Sequence, residues 1–275
     1  MGLLNELISK TIKEGYDEEN AEAKVCQDII LKAIANSSLK DNVTIKGGIV
    51  MRSISHNIRR ATQDIDIDFI RYSLGDDSII KFINKLNCID GLNIRIIGKI
   101  DELKHQDYHG KRIYIQIEDF DGDVIESKLD IGVHKDLSIV QEEYCFDVCL
   151  DNDGANLLIN SKEQMFTEKL RSLLKFGTFS RRYKDIFDLY YLSSKVDIIK
   201  LLKCLDKYIF TDSGMKENDM TDVIHRINTI LNNRTYQNRI KTSRRNWINK
   251  DIKQLVAELL QFLDEVAETT VVVWY

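Results

Sequence analysis

Residues 60–69, Arg60-Ala61-Thr62-Gln63-Asp64-Ile65-Asp66-Ile67-Asp68-Phe69, decide how this chain is read. In an extended strand successive side chains alternate faces, so Asp64, Asp66 and Asp68 share one face while Ile65, Ile67 and Phe69 share the other. Three aligned carboxylates repel one another unless positive charge sits among them. The pattern describes an ordinary half-buried strand with a wet acidic face, and it also suits a strand that holds cations. The surrounding sequence has to separate the two.

Upstream, Val43-Thr44-Ile45 leads into Lys46-Gly47-Gly48 and a helical stretch to about Asn57. A glycine pair between a short strand and a helix leaves backbone N–H groups free to bind phosphate oxygens. Sixteen residues separate Gly48 from Asp64, enough for a helix to leave the turn and the chain to return as the acidic strand. Arg60 and Thr62 sit just ahead of the carboxylates, Thr62 on their face. Downstream, Lys128-Leu129-Asp130-Ile131-Gly132-Val133 turns Leu129, Ile131 and Val133 toward a core and Asp130 away from it. An adjacent strand would bring Asp130 beside Asp66. Hard Mg²⁺ ions take a few carboxylates plus substrate phosphates, and paired ions stabilise the entering and leaving oxygens of a phosphoryl displacement. Asp64, Asp66 and Asp130 suit that task as metal ligands.

The whole chain has the composition of a soluble globular protein, 43% hydrophobic and 30% charged over 275 residues. A net charge of −5 argues against wholesale electrostatic binding of nucleic acid and confines any such contact to a local patch. No stretch approaches the roughly 20 apolar residues of a membrane helix, and the Val271-Val272-Val273-Trp274 end is too short to span one. Cys26, Cys88, Cys145, Cys149 and Cys204 are scattered without zinc-ligand spacing and read as reduced thiols of a cytoplasmic protein. His56, His105, His109, His134 and His225 show no ligand spacing either.

No proline-, glycine- or serine-rich linker marks a boundary, so the division comes from periodicity. Residues 2–13 and 19–36 read as helices; 64–70, 93–100, 112–118 and 124–133 alternate as strands, with Asp119-Phe120-Asp121-Gly122-Asp123 as a hairpin turn. After Ser161 the pattern is helical over 162–176, 180–194, 196–210, 216–232 and 247–266. Ser161 and Gln164 have capping-box spacing. The expectation is an α+β chain: a mixed sheet with flanking helices over residues 1–155, then an α-helical bundle over 156–275 that completes the active-site cleft.

On a helical wheel Lys169 falls inside the apolar stripe of Met165, Phe166, Leu170, Leu173 and Leu174, so it is not an ordinary solvated lysine; a snorkelling lysine would fit that place. Arg181 with Asp185, and Lys184 with Asp188, have the spacing of surface ion pairs. Arg239, Lys241, Arg244 and Arg245 precede Trp247, a solvated basic loop or a place to hold an RNA backbone and stack a base.

Together these segments resemble the AbiEii/AbiGii toxin family of nucleotidyltransferases, within the DNA polymerase β-like superfamily. Lys46-Gly47-Gly48 with Arg60-Ala61-Thr62-Gln63-Asp64-Ile65-Asp66 is similar to the first motif, and Asp130 to the second, which is the loosest. Thr167-Glu168-Lys169-Leu170-Arg171-Ser172-Leu173 resembles the third, and Arg181-Arg182-Tyr183-Lys184-Asp185-Ile186-Phe187-Asp188-Leu189 the fourth. The resemblance implies a Mg²⁺-dependent enzyme that transfers a nucleoside monophosphate from an NTP to an acceptor hydroxyl. Asp64, Asp66, Lys169 and Asp185 would be catalytic; Gly47, Gly48, Arg60, Thr62 and Lys169 would bind the nucleotide. Asp185 would act as a general base or orient Lys169, while Asp188 would be structural and Asp68 an auxiliary or structural acid. It also implies a separate antitoxin partner, and tRNA or another translation component as acceptor. A small-molecule nucleotidyltransferase and a non-catalytic binding protein of the same fold remain the alternatives.

Overall fold

The computed structural model describes residues 2–103 and 110–274; His105 and His109 lie outside them. The chain forms two compact units, residues 1–160 and 161–275.

The first unit is a mixed seven-stranded sheet with helices. In chain order come α1 (Leu3–Lys13), α2 (Glu18–Asn36), β1 (Val43–Lys46), α3 (Gly47–Ser55), β2 (Ile65–Phe69), α4 (Asp76–Lys85), β3 (Leu92–Glu102), β4 (Lys111–Asp119), β5 (Val124–Val133), β6 (Glu142–Phe146) and β7 (Ala155–Ile159). The strand order is β3-β4-β5-β2-β1-β7-β6. β1 and β2 are antiparallel, whereas β2 with β5 and β1 with β7 are parallel.

Period-two alternation sets the two faces. Ile65, Ile67 and Phe69 on β2, Ile113, Ile115 and Ile117 on β4, and Leu129 and Ile131 on β5 are all buried. α2 carries Ala21, Val25, Cys26, Ile29, Ile30 and Ile34 into this unit's core, and its first turn is capped by Asp17, which accepts from the Asn20 amide at 2.9 Å. The expected hairpin at 119–123 is present, and Asp119 does more than turn the chain. Its Oδ2 accepts the Leu4 amide at 3.0 Å, capping α1 from a distant strand.

The expected boundary at residue 155 moves to Asn160, because the run Ala155–Ile159 is β7, the parallel neighbour of β1. β6, β7 and α4 are further additions to the expected set. A five-residue, largely apolar run is too short for its period to separate strand from helix; here pairing with β1 decides it.

The second unit is helical: α5 (Lys162–Phe176), α6 (Tyr183–Ser193), α7 (Ile198–Leu205), α8 (Met220–Leu231), α9 (Arg234–Thr242) and α10 (Ile252–Trp274). Ser161 caps α5 by accepting the Gln164 amide at 3.2 Å. The reciprocal half of the capping box is absent, since the Gln164 side chain donates to Glu168 instead. The helix expected to run to residue 210 leaves α geometry after Leu205 for a π-turn over Asp206–Phe210. Arg171 holds that turn, its Nε donating to the Tyr208 carbonyl at 3.0 Å and its guanidinium pairing with Asp212 at 2.8 Å. Among the described residues no helix is long and apolar enough to cross a membrane.

Candidate active site

The sheet register assembles the acidic strand with its neighbours. Lys46 on β1 pairs in register with Asp66 on β2, Asp66 with Asp130 on β5, and Asp130 with Arg112 on β4. Residues directly opposite across strands share a face, so these four side chains form one row, cation–acid–acid–cation. The expected meeting of Asp66 and Asp130 is therefore present.

The charges in and beside this row are matched. Arg112 grips Asp130 with two hydrogen bonds, Nε to Oδ1 at 2.6 Å and Nη2 to Oδ2 at 2.7 Å. This fork geometry raises the guanidinium pKa above its usual range. Lys46 Nζ reaches diagonally to Asp68 Oδ1 at 2.5 Å, and Asp68 is only 5% exposed. Asp64 stands just outside β2, half exposed, with Lys128 Nζ 2.8 Å from its Oδ1. Lys46, Arg112 and Lys128 were not singled out from the sequence. Alternation placed them on strands, but only register shows which acid each one faces.

The glycine turn fits against the row. α3 starts at Gly47 without a side-chain cap, and Gly47 has φ +68°, a conformation L side chains rarely adopt. A Cβ at Gly47 would collide with the Asp66 carboxylate, and one at Gly48 would lie 2.5 Å from Thr62 Oγ1. Both positions therefore have to be glycine for the turn to approach Asp66 and Thr62. Thr62 is held from behind: its carbonyl accepts from Gln27 Nε2 at 2.8 Å, and Gln27 Oε1 accepts from buried Arg52 at 2.5 Å. Arg60, at the end of a short 3₁₀ turn, is buried at 4% exposure.

Among the described residues no three His, Cys, Asp or Glu side chains are grouped as a ready metal cage. A Mg²⁺ ion held by one or two carboxylates and completed by phosphate oxygens and water needs no such cage. The donor set fits that mode. Asp66 lies against a Cβ-free turn, Asp64 is half exposed, and all the donors are oxygen. Asp130 fits less well, because both its oxygens are already engaged by Arg112.

In the second unit Lys169 is buried rather than snorkelling, at 6% exposure. Its Nζ lies 2.8 Å from Asp188 Oδ2 and 3.2 Å from Asp185 Oδ1. Asp185 Oδ2 also accepts from Arg182 Nε at 2.6 Å, and Asp188 Oδ1 from the Trp247 indole at 3.0 Å. Asp185 and Asp188 thus turn inward onto Lys169.

Trp247 is 4% exposed, which removes it as a stacking platform for a base. Arg239 and Lys241 belong to α9 and Arg244 follows it at φ +54°, all three exposed with Arg245. The basic cluster is a solvated helix end and loop.

Residues 29–268, most of the chain, match the family described as Nucleotidyl transferase AbiEii toxin, Type IV TA system. The chain belongs to the AbiEii nucleotidyl transferase toxin family. The matched span takes in the glycine turn, the acidic row and the Lys169–Asp185–Asp188 cluster. Within the family this is a nucleotidyltransferase toxin of a type IV toxin–antitoxin system, which implies an antitoxin partner. A search of the curated proteins gave no match.

Proposed function

We propose that this AbiEii-family toxin transfers a nucleoside monophosphate from an NTP to an acceptor hydroxyl of RNA, tRNA included, in the cytoplasm. The acceptor oxygen bonds to the α-phosphorus, the bond from that phosphorus to the β-phosphate bridging oxygen breaks, and pyrophosphate departs. The hydroxyl proton passes to the carboxylate row or to water. The observation that carries the reading is the fit of Gly47 on Asp66, which puts uncapped α3 amides beside carboxylates that share a row with Asp130.

In this reading the Gly47-Gly48 amides receive triphosphate oxygens, helped by the α3 N-terminus. Thr62 and Arg60 shape the floor beneath them. Asp64 and Asp66 would hold Mg²⁺, and Asp130 would join them only by giving up part of its Arg112 clamp. Bound there, Mg²⁺ would neutralise charge that develops on the phosphoryl oxygens. Within the second unit Lys169 supplies a buried positive charge. Asp185 orients it, since Lys169 and Arg182 already occupy both Asp185 oxygens, a poor arrangement for a general base.

The test is incubation of the purified chain with each labelled NTP, total RNA and Mg²⁺, with growth inhibition measured in parallel. Labelling of RNA that is lost in Asp66→Ala and Lys169→Ala is the expected result. Unchanged labelling and toxicity in both variants would sink the reading.

A further inference from the structure

On the side of the acidic row away from the glycine turn, the first unit has a cavity of about 320 Å³. It opens where β5 outruns β2. β2 begins at Ile65, opposite Leu129, so Glu126, Ser127 and Lys128 have no β2 partner. α2 closes the gap from above with Glu19, Glu22 and Ala23, and Gln63 flanks it. Tyr114 and Ile97, register partners on β4 and β3, complete the lining.

Three features give this cavity a chemistry. First, it shares a wall with the acidic row, because Lys128 lines it and is the residue paired with Asp64 at 2.8 Å. Tyr114 is the β4 register partner of Lys128. With strands about 4.8 Å apart, a group on Tyr114 lies about 10 Å from the β2 line, on the far side from β1 and its glycine turn. Second, Tyr114 is 42% exposed although it sits on an interior strand, so an aromatic surface is open beside the aliphatic Ile97 and Ala23. Third, the amine and amide donors in the wall are already engaged, Lys128 with Asp64 and Gln63 Nε2 with Asn20 at 2.9 Å. What remains for a ligand is dominated by the carboxylates of Glu19 and Glu22 and by Glu126 Oε2, since Glu126 Oε1 accepts from Gln116 Nε2 at 2.9 Å.

We infer that this cavity is the acceptor subsite and takes one unpaired nucleobase of the acceptor RNA, stacked on Tyr114 with its amino donors on Glu22 and Glu126. The inference rests on the nucleotidyltransfer reading. The glycine turn claims the triphosphate on one side of Asp66, so a molecule on the β4 side reaches the row from the opposite direction, as an attacking hydroxyl must. An aromatic and aliphatic lining with acceptor oxygens suits a planar heterocycle, apolar on its faces and donor-bearing at its edge. A polyammonium sugar would need acceptors all around it. Three glutamates also repel phosphodiester, so the cavity admits the base and leaves the backbone outside.

The experiment measures binding of a 5′-labelled single-stranded oligoribonucleotide to the full chain by anisotropy, without NTP, and separately NTP affinity and transfer kinetics. Tyr114→Ala should weaken oligonucleotide binding on the order of tenfold to a hundredfold and raise the acceptor KM, with NTP affinity unmoved. Tyr114→Phe should restore most of the binding, and a merely structural role for the ring would lower NTP affinity along with it in Tyr114→Ala. Glu22→Gln and Glu126→Gln should shift the preference among oligonucleotides ending in different bases. Unchanged oligonucleotide affinity in Tyr114→Ala overturns the inference, as does displacement of the oligonucleotide by an amino sugar that binds in its place. If the wild type binds the oligonucleotide through Tyr114 yet transfers no nucleotide, the transfer reading fails and the base site stands. If it transfers nucleotide and Tyr114→Ala keeps a normal acceptor KM, only the base site fails.

Discussion

Trp247 donates its indole N–H to Asp188 at 3.0 Å, and the other oxygen of that same carboxylate lies 2.8 Å from Lys169 Nζ. Asp188 is fully buried, so it fixes a buried cation and a buried aromatic at once. Asp188→Ala should destabilise the chain by about 3–5 kcal/mol, the usual cost of stranding a buried partner charge. Trp247→Phe keeps one aromatic ring but loses the hydrogen bond and part of the buried volume, and should cost at least the about 1–3 kcal/mol of an unsatisfied buried acceptor. Urea unfolding followed by far-UV dichroism measures both, and an Asp188→Ala chain as stable as wild type would refute the assignment.

Asp185 should behave differently. It orients Lys169 and is also held by Arg182, whose side chain is largely exposed. Asp185→Asn should lower kcat for nucleotide transfer at least tenfold while the urea midpoint moves less than it does for Asp188→Ala. Equal stability losses in the two variants would make Asp185 structural.

Gly47→Ala should abolish transfer. The φ of +68° costs an L residue about 1–2 kcal/mol, and the new methyl would collide with the Asp66 carboxylate. NTP binding measured by calorimetry should fall with activity. An alanine variant with normal NTP affinity would show that the turn does not receive the phosphates.

Glu258 gives a pH signature in the second unit. The Lys250 ammonium at 2.7 Å and the Tyr190 hydroxyl at 2.6 Å pull its carboxyl from 4.5 down to about 2. A depressed folded-state value means the contribution is complete above pH 4.5 and is lost as pH falls toward 2. Glu258→Gln should therefore lower Tm relative to wild type near neutrality, with the gap closing over that acid window. A gap independent of pH would show that the carboxylate charge is not what ties α10 to α6.

The thiols divide by burial. Burial pushes Cys26 and Cys149 up to about 12, and Cys204 is also buried, whereas Cys88 and Cys145 are exposed. Native protein should titrate two thiols with a disulfide reagent at pH 8, and five after denaturation. Rapid reaction of a third native thiol would contradict the burial of Cys26, Cys149 and Cys204.

Much of this molecule is legible without coordinates. The alternation in Asp64–Phe69 put Ile65, Ile67 and Phe69 in the core, and all three are fully buried. The helical periods after Ser161 located α5 to their residue limits because a cap and an apolar stripe mark both position and face. The family was legible from the same motifs, since backbone conformation at Gly47-Gly48 and the spacing of carboxylates are local properties of the chain.

Partnership was not legible, because it depends on register and on contacts between distant segments. Nothing local says that Arg112 clamps Asp130 across a hairpin, that Lys46 answers Asp68, or that the last apolar run before Ser161 is a strand beside β1. The wheel placed Lys169 on an apolar stripe but left its charge undetermined between water and a buried acid; α6 supplied two acids. Trp247, which the sequence offers with the arginines before it as part of a solvated loop or a place to stack a base, is instead turned inward against Tyr191 and Asp188. The sequence by itself determined the family and which strand and helix positions carry acids, cations and glycines, because side-chain type and backbone period are written residue by residue. Only the tertiary structure decided which charges neutralise one another, because that depends on which strands and helices come to lie side by side.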